Sequence, residues 1–158
     1  MSGGTVLYFA YGSNADPDRF RARVGAWRSR RRGRLDGHRL RFAASVQSEG
    51  GGGAVVDAAA SGHVDGVLYE ITAAQMARMD REEFDATRDT DRVGRRVTVT
   101  VETEDGPEPA EMYTVVDDGG WRAPSARYLG HIVRGLEAVG HTADAIDAVR
   151  RAARVPSG

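Results

Sequence analysis

Two places in the chain carry residue types whose arrangement could do chemistry, and they lie far apart in sequence. The first is Tyr8-Phe9-Ala10-Tyr11-Gly12-Ser13-Asn14, an apolar β-type run that breaks into Gly-Ser-Asn. A strand ending in small residues frees backbone N–H groups to point at a bound anion or a developing oxyanion, although the same pattern also serves as an ordinary turn. The second is Glu83. Thr72 and Gln75 form a capping box that predicts a helix from Ala73 through Met76 and Met79 into Asp80-Arg81-Glu82-Glu83. At about 100° per residue, Glu83 lies one turn beyond Met79 and two beyond Met76, on the apolar face, whereas Asp80 and Glu82 are rotated away from it. A carboxylate on a core-facing stripe is either paired with a cation or has its pKa raised by desolvation, and the second case makes a general base near neutral pH. The third outcome is a helix frayed at that point, with Glu83 in solvent.

Composition narrows the chemistry. The 158 residues suffice for one domain spanning 1–158, and the absence of cysteine excludes a disulfide framework, a thiolate nucleophile and a Cys-ligated metal. Net charge is −1 with 28% charged residues, so no global field favours nucleic acid or an anionic membrane, and the partner must be recognised locally. Apolar stretches fall far short of the roughly 20 residues of a bilayer span, and Met1-Ser2-Gly3-Gly4 has no basic region followed by a hydrophobic one; a soluble cytoplasmic protein is expected. Arg28, Arg30, Arg31, Arg32 and Arg34 concentrate positive charge, but no stacking aromatics interleave them and they lead into a strand, so a solvated connection is expected in preference to a phosphate or nucleic-acid patch. His38, His63, His131 and His141 are scattered without metal-ligand spacing and are assigned no role, with no metal site expected.

The elements that must position the two places follow from local pattern. Thr5 to Tyr11 reads as a strand, and Asp16 caps a short helix with Pro17 in its first turn, ending near Val24. Arg34 to Phe42 alternates around a Gly37 kink as a half-buried strand. Glu49 to Gly53 reads as a flexible loop, Ala54 to Val56 as a short strand before another small-residue loop, and His63 to Ile71 as a strand with Gly66 at a bend or bulge. Arg95 to Thr103 alternates as a strand with one buried face, Glu104-Asp105-Gly106 turns the chain, and Ala110 to Val116 returns as its antiparallel partner. Ser125 caps a helix carrying Leu129, Ile132, Leu136 and Val139 that Gly140 stops, and a last helix starts at Thr142. Strands first, one helix interposed and helices last predict an α+β domain whose mixed or antiparallel sheet curls around its core.

With these features in order, the chain resembles the γ-glutamylcyclotransferase-like family. Tyr8-Phe9-Ala10-Tyr11-Gly12-Ser13-Asn14 matches that family's N-terminal strand and loop. Gly66-Val67-Leu68-Tyr69-Glu70-Ile71, then Met79-Asp80-Arg81-Glu82-Glu83 where the family has Leu-Asp-x-x-Glu, and Pro124-Ser125-x-x-Tyr128-Leu129 follow in the family's order, so that the resemblance spans roughly residues 6 to 140.

The resemblance implies a small mixed β-barrel with flanking helices and a cavity at its mouth. It implies that the Gly12-Ser13-Asn14 loop, with Tyr11, binds a γ-glutamyl moiety through backbone N–H groups and that Glu83 is the acid/base. Tyr113 and Tyr128 map onto binding positions, although strand packing and a helix staple account for them equally well. The implied reaction is cofactor-independent: the α-amino group of a γ-glutamyl amine or amino acid attacks its own γ-carbonyl, giving 5-oxoproline and a free amine. The implied partner is this small molecule alone, with a homodimer left open; the alternative is a non-catalytic binder of a γ-glutamyl or related carboxylate ligand. Phe84 stands where the family commonly has glycine, and residues 91–96 lack an aromatic residue often found ahead of the next strand, so a bulky ring is expected beside Glu83.

Overall fold

A computed structural model describes residues 4–48, 50–86, 94–115 and 120–154. Five strands close into a barrel in the order β1-β3-β2-β4-β5: β1 (Thr5–Ala10), β2 (Ser29–Ser48), β3 (Gly51–Thr72), β4 (Gly94–Thr103) and β5 (Gly106–Val115). The helices are α1 (Pro17–Val24), α2 (Ala73–Ala86), α3 (Ala126–Ala138) and α4 (Ala143–Ala152), with a 3-10 turn at Ser13–Ala15 between β1 and α1. The fold is the expected α+β mixed barrel with flanking helices. All pairings are antiparallel except β1 with β5, where Tyr8 lies beside Glu111 and closes the ring. No helix among the described residues is long and apolar enough to cross a membrane.

The predicted caps form as read. Asp16 accepts from the Asp18 amide at 3.0 Å, and Ser125 accepts from the Tyr128 amide at 3.1 Å. The capping box closes in both directions, Thr72 N–H to Gln75 Oε1 at 3.0 Å and Gln75 N–H to Thr72 Oγ1 at 3.1 Å. Gln75 does more than cap: its Nε2 donates to the carbonyls of Val24 at 3.1 Å and Ala26 at 2.5 Å, tying the end of α1 to the start of α2. Helix α2 does not fray at Glu83 but continues to Ala86. The Phe84 side chain and residues 87–93 lie outside the described residues, so the ring expected beside Glu83 does too.

Three expectations change. Gly51, Gly52 and Gly53 are not a flexible loop but the buried opening of β3, because a segment before α3 is laid across them. The Gly52 amide donates to the Ala123 carbonyl at 2.9 Å, and a Cβ on Gly51 or Gly52 would overlap the backbone of Ser125 or Arg122. The two short strands Ala54–Val56 and His63–Ile71 belong to one strand, β3, whose intervening residues make an excursion opposite Gly37, at φ +75°, where the register jumps between Asp36 and His38. Gly66 is no bulge: it pairs in register with Gly33, and both are bare because the Phe9 ring lies over them.

Phe9, Tyr11, Leu35, Leu68, Val101 and Met112 form the barrel's apolar cluster, continued by Ile132 and Leu136 of α3. The opposite face of β1 feeds a second cluster under α1 and α2, with Tyr8, Phe20, Tyr69, Met76 and Met79. Here Phe20 stacks on Tyr69 with centroids 3.9 Å apart. The arginine run is part of β2 and is ion-paired, Arg31 with Asp105 and Glu108, Arg32 with Glu104, and Arg34 with Asp36. Opposite charges from the β4–β5 turn therefore neutralise much of what read as a basic patch.

Candidate active site

The period-2 alternation of β1 sends Tyr8 to one face and Tyr11 to the other, and the chain then turns through Gly12 into the 3-10 turn. The turn uses its own donors locally, Ala15 N–H to the Gly12 carbonyl at 3.0 Å and Asp16 N–H to that of Ser13 at 3.1 Å. It carries the Asn14 side chain, 5% exposed, toward α2. There Asn14 Nδ2 donates to Glu83 Oε1 at 2.9 Å and to the Tyr8 hydroxyl at 3.1 Å, with Met79 Sδ at 3.6 Å. The amide can face only one way, since the reverse would set Oδ1 against the Glu83 carboxylate. Asn14 Oδ1 is left buried with no hydrogen-bond partner among the described residues. Arg23, in the last turn of α1, places Nη1 3.6 Å from the same Glu83 oxygen.

Of the outcomes left open for Glu83, the structure shows the one in which a cation stands beside it, and the side chain is about a third exposed. Its charge reaches the whole aromatic lining. Tyr8, Tyr11, Tyr113 and Tyr128 all have phenol pKa values raised above the ordinary value, chiefly by burial and in each case also by the Glu83 carboxylate. All four phenols stay protonated at neutral pH, and their hydrogens are donors.

Where those hydrogens go differs. The Tyr11 hydroxyl donates to the Tyr113 carbonyl at 2.6 Å, and the Tyr113 hydroxyl to Asp80 Oδ1 at 2.6 Å, which Arg96 also meets at 3.1 Å. Tyr11 therefore ties the end of β1 to β5, and Tyr113 braces β5 against α2. The Tyr113 ring meets Tyr8 edge-on at 5.8 Å. Tyr128 faces the loop: its oxygen accepts from the Ala54 amide at 3.0 Å, and a Cβ on Gly12 would lie 3.1 Å from it. Gly12 has φ −105°, so its lack of a side chain serves this close approach and not a left-handed turn.

Glu83, Gly12, Ser13, Asn14, Tyr11, Tyr113 and Tyr128 are thus brought to one end of the barrel, with Asn14 and Glu83 in direct contact. Sequence reading missed Tyr8, Arg23, Asp80 and the support beneath the loop. That support is Asp16, 2% exposed, whose Oδ2 meets His131 Nδ1 at 2.7 Å and Arg134 Nη2 at 2.9 Å from α3. Burial pushes the Asp16 pKa up, but the hydrogen bonds from His131 and Arg134 outweigh it and hold the carboxyl below its usual value. The available signal for Arg23 was its helical spacing from Arg19, one turn earlier and alongside the buried Phe20 and Val24. Among the described residues no group of His, Asp and Glu could hold a metal ion.

The sequence model of the gamma-glutamyl cyclotransferase, AIG2-like family matches residues 8–130. The chain belongs to that family. Among solved structures, a gamma-glutamyl cyclotransferase superposes with a TM-score of 0.81 at 23% identity, covering 98% of this chain and 90% of the other. The uncharacterized protein loc79017 from Homo sapiens gives 0.79 at 24% identity, with 97% and 89% covered. A gamma-glutamyl cyclotransferase specific to glutathione from yeast gives 0.59 at 12% identity, with 96% and 98% covered. At these identities the likeness establishes a shared cyclotransferase-like fold. No curated protein sequence matches the chain.

Proposed function

We propose that this family member cyclises a γ-glutamyl amine or amino acid to 5-oxoproline, releasing the amine, with Glu83 as general acid/base and no cofactor. The observation that carries the reading is the 2.9 Å contact between Asn14 of the Gly-Ser-Asn turn and Glu83 of α2, which sets the loop and the carboxylate against one another. The substrate enters with its α-nitrogen as an ammonium. Glu83 takes one proton, the freed amine attacks the γ-carbonyl carbon, and a five-membered ring closes with negative charge on the carbonyl oxygen. The second proton comes off the ring nitrogen as the bond to the leaving nitrogen breaks. Both protons pass through Glu83 to the leaving group, which departs as an ammonium, while the ring nitrogen keeps its last hydrogen.

Tyr128 is suited to the oxyanion. Its oxygen already accepts the Ala54 amide hydrogen, which makes its own O–H a stronger donor toward a developing negative charge. The loop from Tyr11 to Asn14 holds the γ-glutamyl chain. Because nucleophile and electrophile are parts of one molecule, holding the folded conformer supplies much of the acceleration, and no side-chain nucleophile is needed. The family model and the shared fold support this reading, and the cytoplasm is the compartment we expect for it.

The test is a panel of γ-glutamyl dipeptides and amines scored for 5-oxoproline with wild type and Glu83→Gln. Turnover by wild type and none by the nearly isosteric variant, which still folds and binds ligand, is the expected result. Undiminished turnover by Glu83→Gln refutes the mechanism. Wild type that binds but never turns over any panel member makes the protein a γ-glutamyl binder.

A further inference from the structure

The reacting nitrogen of a γ-glutamyl group sits on a carbon that also bears a carboxylate, so whatever holds the ammonium lies one carbon from a negative charge. Glu83 alone would repel that carboxylate. Beside it stands Arg23, with Nη1 3.6 Å from Glu83 Oε1, beyond hydrogen-bond distance. The same Glu83 oxygen accepts from Asn14 at 2.9 Å, so the orientation of the carboxylate has a support independent of Arg23. Among the described residues Glu83 is the ion partner of Arg23, and a guanidinium carries five N–H donors in a fork that fits a carboxylate. The helix that carries Arg23 is fixed at both ends. Asp16 fixes the N-terminus against His131 and Arg134, and Gln75 clamps the carbonyls of Val24 and Ala26 just past the C-terminus.

We infer that Arg23 is the anchor for the substrate's α-carboxylate, so that Arg23 and Glu83 together form a zwitterion clamp selecting an intact α-amino acid head. This rests on the proposed cyclisation. Arg23 binds the anion while Glu83 receives the ammonium beside it. The clamp excludes amides whose amine lacks a neighbouring carboxylate, and it is indifferent to the leaving group.

The experiment compares the best γ-glutamyl amine from the panel with the same compound whose α-carboxylate is replaced by a carboxamide, in wild type, Arg23→Met and Arg23→Lys. Binding of the two products, 5-oxoproline and 5-oxoprolinamide, is measured in parallel by calorimetry. A charge-assisted contact of this kind predicts that wild type prefers the carboxylate by about 10- to 100-fold in kcat/KM. Arg23→Met should reduce that preference to within about threefold by weakening the carboxylate compound alone, and Arg23→Lys should restore part of it. The product affinities should follow the same order. A preference unchanged in Arg23→Met, or equal losses on both compounds, overturns the clamp while leaving the cyclisation intact. Wild type inert toward every panel member overturns the cyclisation and the clamp together.

Discussion

Asn14 links three groups with one amide, and Tyr128 closes over Gly12 at a distance that leaves no room for a methyl group without adjustment. The second contact makes a sharp residue-scale prediction. If the Tyr128 hydroxyl stabilises the oxyanion, Tyr128→Phe lowers kcat by about 100-fold, the range for loss of one such donor, with circular dichroism and KM little changed. Gly12→Ala puts a Cβ 3.1 Å from that hydroxyl and displaces it by a few tenths of an ångström, so it should lower kcat by about 10-fold for the same reason. The two effects share one atom. In the Tyr128→Phe background, Gly12→Ala should then cost almost nothing, a non-additivity that kinetics on the four variants of the cycle measures directly. Additive losses would mean that the glycine serves the substrate's approach instead.

At the scale of elements, the site depends on α1 being held at both ends, and Asp16 is the end that titrates. Its folded pKa is lowered, so the stability it adds is fully present above the unfolded reference of about 3.9 and is lost as pH falls through the lower folded value. Asp16→Asn keeps an effective cap but removes the charge facing His131 and Arg134. It should lower Tm at pH 7 by an amount that shrinks toward pH 3, which thermal melts across that range follow; a constant loss would show that the cap, not the charge, matters. Such elements were legible in unequal measure. As caps, Asp16, the Thr72–Gln75 box and Ser125 act within a few residues of themselves, so the local pattern is enough to show the caps, though not what Asp16 and Gln75 reach beyond them. The glycines at 51 and 52 look flexible in sequence because nothing local explains them, and their reason is the backbone of Arg122 to Ser125 pressed against them from elsewhere. For the same reason His131 showed no role until α3 brought it to Asp16.

For the whole molecule, the α+β class could be read from element order, but the parallel contact of β1 with β5 could not, because it joins segments whose patterns are each satisfied by an antiparallel neighbour. What lets the ring close on its contents is the pair Gly33 and Gly66, opposite one another on β2 and β3 under the Phe9 ring. The two glycines are not equivalent. A Cβ at Gly66 would lie 2.6 Å from the Ala10 carbonyl oxygen and 2.7 Å from the ring, whereas one at Gly33 would meet side chains only, Val101 at 2.8 Å and Phe9 at 3.2 Å. Backbone held in a ladder cannot retreat as a side chain can. Gly66→Ala is therefore expected to cost about 3 kcal/mol, the upper range for overpacking, and Gly33→Ala nearer 1 kcal/mol. A second substitution separates the causes. Val101→Ala should recover most of the Gly33→Ala loss by removing the nearest atom, whereas Phe9→Leu should recover little of the Gly66→Ala loss, since the Ala10 carbonyl remains. Urea unfolding of the single and double variants reads both couplings, and full recovery of Gly66→Ala by Phe9→Leu would show that the ring, not the Ala10 carbonyl, dictates that glycine.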